Sequence, residues 1–254
     1  VDGTDAAGIG HARYSFAAAF EDVDDDGDPD LYVANDFGRN SLWINQGGAQ
    51  GGTLGFFTDE TAAQFPVFID DSRDIEFADI DMDADLDIYT SNTAQLDVTQ
   101  GNRWWINQGG IEGGTAGFYQ DDTANRWVGL GVFPSSVPPN LLTSGTFKDW
   151  SCDCDFGDLD NDGDLDVLLS SDGRHDVYVN DGTGGLSPGW SSTDASGAPA
   201  VFAEATGDGY LDIAAASSQA RVFTSWGPVV LSVDSIVPGT ADADNTITIS
   251  GASP

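Results

Sequence analysis

The sequence contains few basic residues, few histidines and few cysteines, and each shortage excludes a class of protein. Eight lysines and arginines stand against 43 aspartates and glutamates, so the formal net charge is −35 at pH 7. Phosphate backbones and anionic lipid surfaces repel such a chain, so we expect no nucleic-acid partner and no direct membrane insertion. Two cysteines, Cys152 and Cys154, are too few for a disulfide-stapled scaffold.

Long apolar runs and catalytic motifs are also missing. No stretch of about 18 apolar residues occurs, so no membrane-spanning helix is predicted. The opening VDGTDAAGIG lacks the basic and apolar regions of a signal peptide, so any such peptide is expected to be removed already or to lie outside this chain. No nucleophile elbow, phosphate loop or zinc spacing occurs, and His11 and His175 lie far apart. We therefore expect a protein that is not an enzyme.

The overall amino-acid composition is typical of a folded protein rich in strands. Hydrophobic residues make up 40% of the chain and aromatic residues 11%, which excludes a disordered acidic tail. The 32 glycines and the scarcity of charged helix formers favour strands. A length of 254 residues fits one large domain, or one domain with a small second piece.

One pattern occurs four times. Each copy has a phenylalanine, then an acidic loop that begins two residues later, then an apolar run that predicts a strand. The four copies read FEDVDDDGDPDLYV from Phe20, FADIDMDADLDIYT from Phe77, FGDLDNDGDLDVLL from Phe156 and FAEATGDGYLDIAA from Phe202. Further strands are predicted downstream in SLWIN, RWWIN, DVYVN and RVFTS.

Units of three to four short strands joined by Gly, Asn and Asp turns are typical of propeller blades. The sequence therefore predicts an all-β fold, a β-propeller or part of one with four-stranded blades, over residues 1–228. The units are expected around 11–65, 66–127, 146–195 and 196–228, with 1–10 as a closing strand or a strand of a preceding blade. Four units close a small ring, or they form part of a ring of about seven blades.

Two segments stand outside this pattern. Prolines and glycines in 128–148 predict an inserted surface loop. Residues 229–254 alternate Val, Ile and Thr with polar residues and carry no aspartate loop, so they are expected to begin an Ig-like domain or to form a linker.

The acidic loops place oxygen atoms at every second position, as a loop wrapped around calcium does. Side chains at loop positions 1, 3, 5 and 9 and a carbonyl at position 7 are the expected ligands. The candidates are Asp22, Asp24, Asp26, Asp28 and Asp30; Asp79, Asp81, Asp83, Asp85 and Asp87; Asp158, Asp160, Asp162, Asp164 and Asp166; and Glu204, Thr206, Asp208, Tyr210 and Asp212. The fourth loop is degenerate, because it has two carboxylates fewer than the others. We expect three calcium sites.

Position 12 distinguishes these loops from an EF-hand, which needs a glutamate there and a helix on each side. Position 12 is Val33, Thr90, Leu169 and Ala215 in turn, and the flanking segments read as strands. In the second loop Ala84 replaces the turn glycine, which costs on the order of 1 kcal/mol if that residue has a positive φ.

The loops in FEDVDDDGDPDLYVAND and FGDLDNDGDLDVLLSS resemble the calcium loops of integrin-type propellers, the FG-GAP and VCBS-like repeats of extracellular proteins. The resemblance covers roughly residues 1–226 and implies a calcium-stabilised module outside the cell or on its surface. Its implied role is binding or structural, in adhesion, a surface layer or a filament, with protein or glycan ligands or self-association. A lectin and a polysaccharide-active lyase are the alternatives.

Seven tryptophans bear on the ligand. Trp43 and Trp105 share an aligned strand position with Tyr178 and Phe223, so they are expected in the core. The tryptophans outside that position are the ones expected to be free to contact a partner, namely Trp104, Trp127, Trp150 and Trp190.

Overall fold

The computed structural model describes residues 3–10, 13–36, 38–67, 69, 71–92, 102–126, 153–171, 174–192, 199–216 and 221–224. These residues form four antiparallel sheets, each with its strands in chain order, and two helices of one turn. Sheet 1 contains β1 (Ser15–Glu21), β2 (Asp30–Asn35), β3 (Ser41–Asn45) and β4 (Phe57–Asp59). Sheet 2 contains β5 (Ser72–Ala78), β6 (Asp87–Asn92), β7 (Arg103–Asn107) and β8 (Tyr119–Asp121).

Sheet 3 contains β9 (Asp153–Gly157), β10 (Asp166–Ser171), β11 (Arg174–Val179) and β12 (Ser187–Ser191). Sheet 4 contains β13 (Ala200–Ala203), β14 (Asp212–Ala215) and β15 (Arg221–Phe223). Helix α1 (Thr61–Gln64) follows sheet 1 and helix α2 (Thr123–Arg126) follows sheet 2. The all-β prediction is confirmed, with a fourth sheet that has three strands among the described residues.

The strands keep one register in all four sheets. Phe20 lies opposite Leu31 in sheet 1, and the same pairing joins the second, third and fourth phenylalanine to the first apolar residue after its loop. Those pairs are Phe77 with Ile88, Phe156 with Val167 and Phe202 with Ile213. The fixed offset of the phenylalanine in the sequence therefore reflects a fixed strand pairing.

Apolar side chains join the sheets in chain order. Tyr32 of sheet 1 belongs to the same buried cluster as Ile88 and Trp105 of sheet 2. Trp104 of sheet 2 packs in a second cluster with residues of sheet 3, and a third cluster joins sheets 3 and 4. The first strands β1, β5, β9 and β13 are neighbours in that order. This face-to-face succession of small sheets is consistent with a propeller-like fold.

The far face of sheet 1 differs from the other faces. Phe77, Phe156 and Phe202 each pack against a cluster between two sheets, whereas Phe20 is 56% exposed. Residues 3–10 cover part of this face as a turn, without forming a strand among the described residues, and the Phe57 N–H donates to the carbonyl of Ala7 at 2.8 Å.

Two expectations for the tryptophans need correction. Trp104 is fully buried and Trp190 is 6% exposed, so neither is free to contact a partner. The third strand of sheet 2 has sheets on both sides, so its successive residues Trp104 and Trp105 are both buried, on opposite faces. Trp127, Trp150, Cys152, the segment 128–148 and the segment 229–254 lie outside the described residues. Cys154 is buried in the cluster between sheets 2 and 3, as a small core residue would be.

Asparagine side chains fasten the loop of one sheet to the next sheet. The Asn107 amide at the end of β7 donates to the carbonyl of Val23, in the loop of sheet 1, at 3.1 Å. The Asn180 amide after β11 donates to the carbonyl of Ile80, in the loop of sheet 2, at 2.8 Å. Asn45 has the same place in sheet 1 and donates to the carbonyl of Pro29 within its own sheet at 3.0 Å.

We expect the substitution Asn107→Ala to destabilise the protein by about 1 kcal/mol more than Asn45→Ala, because only the first removes a described hydrogen bond between sheets. Urea unfolding followed by tryptophan fluorescence measures the difference. Equal losses in the two variants would show that the bond to Val23 contributes nothing to stability.

None of the helices in the described part of the chain is long and apolar enough to cross a bilayer.

Candidate metal-binding loops

Three loops join the first and second strands of sheets 1, 2 and 3, and each gathers three carboxylates. They are loop 1 (22–30), loop 2 (79–87) and loop 3 (158–166). One oxygen from each member of a group lies within 4.8 Å of the others in Asp22, Asp24 and Asp30; Asp79, Asp81 and Asp83; and Asp158, Asp160 and Asp166. Two oxygens that bind the same calcium ion at about 2.3–2.6 Å are at most about 5 Å apart, so each group has the spacing for one cation.

Backbone amides hold the first and last carboxylates of each loop. In loop 1, Asp22 accepts hydrogen bonds from the N–H groups of Asp26 at 3.0 Å and Gly27 at 2.8 Å. Asp30 accepts from the N–H groups of Val23 at 3.2 Å and Asn45 at 2.7 Å. Loops 2 and 3 repeat all four bonds. The loops are therefore folded in one way by their own backbone.

Positions 5 and 7 are placed differently from positions 1, 3 and 9 of loop 1, while their predicted part in metal binding stays a prediction. Asp26, at position 5, lies outside the group of three in loop 1 and accepts from the N–H groups of Asp28 at 3.1 Å and Ala49 at 2.9 Å. Asp162 likewise lies outside the group in loop 3, whereas Asp83 belongs to the group in loop 2. At position 7, where a carbonyl was expected to bind, the side chains of Asp28, Asp85 and Asp164 are themselves buried.

Several buried carboxylate oxygens in these loops have no hydrogen-bond partner among the described residues. They are Oδ1 of Asp24, Asp81, Asp160 and Asp164, and both oxygens of Asp28 and Asp85. Burying a carboxylate without a compensating partner is costly, and such groups in proteins are paired with cations or bind metals. These oxygens fit a hard cation.

Electrostatics in the loops point the same way. Burial, followed by the charges of neighbouring aspartates, raises the pKa of Asp24 to about 6 and that of Asp85 to about 7. Burial raises the pKa of Asp30 to about 7 and that of Asp87 to about 9, against hydrogen bonds from backbone amides that lower them. The carboxylates are therefore poorly compensated when no cation is bound.

The fourth loop, residues 204–212 (loop 4), has a related backbone pattern, in which the first carboxylate accepts from positions 4 and 5 instead of positions 5 and 6. Asp212 accepts from the N–H of Ala205 at 2.9 Å, and Glu204 accepts from the N–H groups of Gly207 and Asp208. Glu204, Thr206 and Asp208 are exposed, and no carboxylate group from this loop meets the spacing of the other three within the described residues.

Two positions in each loop have left-handed backbone. Ala84 has a φ of +76°, so the strain expected there is present, while Gly27 and Gly163 hold the same position at +93° and +102°. Position 4 is also left-handed, with φ between +60° and +61° in Asp25, Met82 and Asn161. Sequence reasoning missed position 4, although Asn161 and Gly207 in that alignment were a usable signal.

The sequence model described as FG-GAP-like repeat matches residues 22–90 and 158–215, which is half of the chain. The chain belongs to the FG-GAP-like repeat family. A search of curated proteins found no match. Among solved structures, the chain is similar to a lectin of Agrocybe aegerita described as recognising non-reducing terminal N-acetylglucosamine, with 16% identity and a TM-score of 0.49. The alignment covers 89% of this chain and 53% of that one, so this chain spans about half of the lectin structure.

The FG-GAP-like repeats of this chain differ in what surrounds the third loop position. In loop 1 the Gln50 amide donates to Asp24 at 2.6 Å. In loop 2 the Arg126 guanidinium donates to Asp81 at 3.1 Å. Arg126 stands at the end of α2 where Gln64 stands at the end of α1, and sequence reasoning gave it no role.

A second group of carboxylates lies on the first strands of sheets 2 and 3. Asp74 accepts from the N–H of Cys154 at 3.1 Å, and Asp153 and Asp155 accept from backbone amides of β13 at 2.9 and 2.6 Å. Burial, followed by the charges of Asp74, Asp155, Asp153 and Glu21, raises the pKa of Glu76 to about 7. Burial also raises the pKa of Asp153 to about 7.

We expect Ala84→Gly to stabilise the protein by about 1 kcal/mol, because glycine adopts positive φ without strain. Gly163→Ala is the matched reverse change, since a β-carbon there meets no atom within 4 Å and the backbone alone decides the outcome. Urea unfolding of both variants should give shifts of opposite sign, and a loss of stability in Ala84→Gly contradicts the assignment.

A raised carboxyl pKa makes the folded chain hold more protons than the unfolded chain. Stability is then fully present below the unfolded pKa and is lost as the pH rises through the folded value, here between about 4 and 7. In metal-free buffer we expect the urea midpoint to fall between about pH 5.5 and pH 8. Glu76→Gln should reduce that fall, whereas Asp5→Asn, at an exposed aspartate that is not among the charges acting on Glu76, should not. A fall of unchanged size in Glu76→Gln rejects the role of Glu76.

Proposed function

We propose that this chain is a calcium-stabilised binding or structural module of propeller type that acts outside the cell and is not an enzyme. The observation that carries the proposal is the set of buried, unpartnered carboxylate oxygens in loops 1, 2 and 3.

Calcium fits the donor set better than other common metals. All three groups offer carboxylate oxygens only, and two further aspartates stand at alternate positions of each loop. Calcium takes six to eight oxygen ligands in adaptable geometry, whereas zinc prefers nitrogen and sulfur, and magnesium keeps several waters. We assign one ion to each group of three aspartates and none to loop 4.

The ions would stabilise the interfaces between neighbouring sheets. Loop 1 is fastened to sheet 2 through Asn107, and loop 2 to sheet 3 through Asn180. A cation that orders one of these loops would therefore order the contact with the next sheet, and its binding energy would become folding energy. Millimolar extracellular calcium suits sites of this kind.

The exposed face of sheet 1 supports the propeller. Phe20 is 56% exposed on β1, at the face where the other sheets contact a preceding sheet. A further sheet would cover it, either sheet 4 of a closed ring of four or a sheet of a larger ring.

The binding role is supported by apolar side chains beside the acidic loops. Met82 lies in loop 2 and is 57% exposed, and Ile111, whose N–H donates to Asp83, is 74% exposed. Apolar groups next to acidic loops favour contact with another protein, or with a second copy of the chain, over a strongly polar ligand. A glycan ligand is the alternative, which a glycan array measured with and without calcium would distinguish.

Three of the described arginines support a role without catalysis. Arg39 donates to the carbonyls of Thr61 and Phe65, while Arg73 and Arg103 pair with Asp71 and Asp121. A lyase acting on acidic polysaccharides needs a basic group in a groove, and these side chains are already engaged inside the fold.

We expect calcium to raise the melting temperature and chelation to lower it, because the ions bind the folded loops. Asp24→Asn should remove or weaken one of three sites in isothermal titration calorimetry. Asp208→Asn, in loop 4, is the matched control and should leave the three sites unchanged. Identical melting curves with calcium and with chelator would falsify the proposal.

A further inference from the structure

Arg126 is a buried cation beside loop 2. Its side chain is 9% exposed, and it donates from Nη2 to Oδ2 of Asp81 at 3.1 Å and from Nε to Oδ2 of Asp122 at 2.8 Å. It also reaches sheet 3, where Nη1 donates to the carbonyl of Thr183 at 3.1 Å. The guanidinium therefore lies between the third position of loop 2 and the neighbouring sheet.

Asp81 faces two ways. Its Oδ2 accepts from Arg126, while its Oδ1 is buried without a partner among the described residues and belongs to a carboxylate within the group formed with Asp79 and Asp83. One oxygen of Asp81 can thus bind a metal ion while the other stays on the arginine.

The space for this arginine is built into sheet 3. Gly184 lies directly against the guanidinium, and a β-carbon at that position would overlap Nη1. The Leu186 N–H donates to the carbonyl of Arg126 at 2.5 Å, which fixes the end of α2 on sheet 3. Loop 1 shows no such cation at its third position within the described ranges, where Asp24 accepts from the neutral amide of Gln50.

We propose that Arg126 is a resident cation of loop 2, which keeps this loop folded without calcium and raises the calcium concentration that the loop needs. The inference rests on the proposed calcium function. A positive charge a few ångströms from the ion repels it, and the same charge compensates Asp81 when the ion is absent.

The interface between sheets 1 and 2 would therefore depend on calcium more strongly than the interface between sheets 2 and 3. When calcium falls, loop 1 loses the cation that compensates its carboxylates, and the contact of sheet 1 with sheet 2 loosens. Loop 2 keeps Arg126, so the contact between sheets 2 and 3 persists. Each interface between sheets would then loosen at its own calcium concentration, as expected for an array in which each unit contacts its neighbours.

Hydrogen exchange followed by mass spectrometry measures this, since peptides covering loops 1, 2 and 3 report on each loop in one sample. With chelator, loop 2 of the unaltered protein should be more protected than loops 1 and 3. In Arg126→Gln, which places the residue of α1 at this position, that protection should be lost. The calcium midpoint of loop 2 should also fall on the order of tenfold, the effect of one removed charge in a partly solvated site.

Two variants serve as controls. Arg126→Lys keeps the charge and should restore most of the protection. Arg103→Gln removes another buried, ion-paired arginine of the same sheet, paired with Asp121 at 2.8 Å, and should leave the calcium midpoints unchanged.

The outcomes are distinct. If no loop of the unaltered protein responds to calcium, the proposed function fails and this inference with it. If the loops respond but exchange equally in chelator, or if loop 2 has the same midpoint in Arg126→Gln, the role of Arg126 is rejected while the calcium sites stand.

Discussion

The crowding of buried carboxylates is the constraint on which this molecule depends. Backbone amides satisfy the first and last aspartates of each loop, but the oxygens of Asp28 and Asp85 and one oxygen of Asp24 have no such donor among the described residues. A buried acceptor without a partner costs about 1–3 kcal/mol, and a charged one costs more. The N–H groups at positions 2, 5, 6 and 7 of loop 1 already donate to other aspartates. A bound cation would compensate the remaining oxygens, and its effect would reach two sheets because loops 1 and 2 each contact the next sheet.

Polar contacts between sheets run in a consistent pattern at two levels. At the loops, an asparagine of the following sheet reaches back to a loop carbonyl, as Asn107 and Asn180 do. On the first strands, a carboxylate of the preceding sheet reaches forward to a backbone amide, as Asp74 and Asp153 do. The apolar clusters bury surface area, but the hydrophobic effect does not depend on direction. Hydrogen bonds do, so these bonds fix the orientation of each sheet relative to the next. The order of the sheets is therefore specified by polar groups as well as by packing.

Spacing made most of this fold predictable. The phenylalanine at a fixed offset and the alternate aspartates located the strands on both sides of each loop, and the register of all four sheets follows from them. Other features depend on contacts that spacing does not encode. Trp104 and Trp105 are successive residues of β7, and only the neighbouring sheets make both faces of that strand interior. Trp190 is buried because its face of β12 packs in the cluster shared with sheet 4. Arg126 meets Asp81 across 45 positions, a contact that requires α2 to lie on the next sheet. At position 4 of the loops, Asn161 is a residue type that favours a positive φ, but Asp25 and Met82 at the same position made the left-handed backbone harder to predict.

Inequality among the repeats extends beyond the loops. By strand register, Ala19 of sheet 1 and Val201 of sheet 4 stand where sheets 2 and 3 have Glu76 and Asp155. Sheet 4, whose loop lacks a carboxylate cluster, therefore also lacks an acidic side chain at this first-strand position. Sheet 4 therefore has fewer carboxylates to compensate, both in its loop and on its first strand. Sheet 2 is the opposite case, with a full loop, the acidic Asp74 and Glu76 on β5, and Arg126. Each sheet contacts mainly its neighbours in the chain, so a change in one loop need not alter the more distant sheets. One interface between sheets can therefore depend on a metal while the next depends on an arginine.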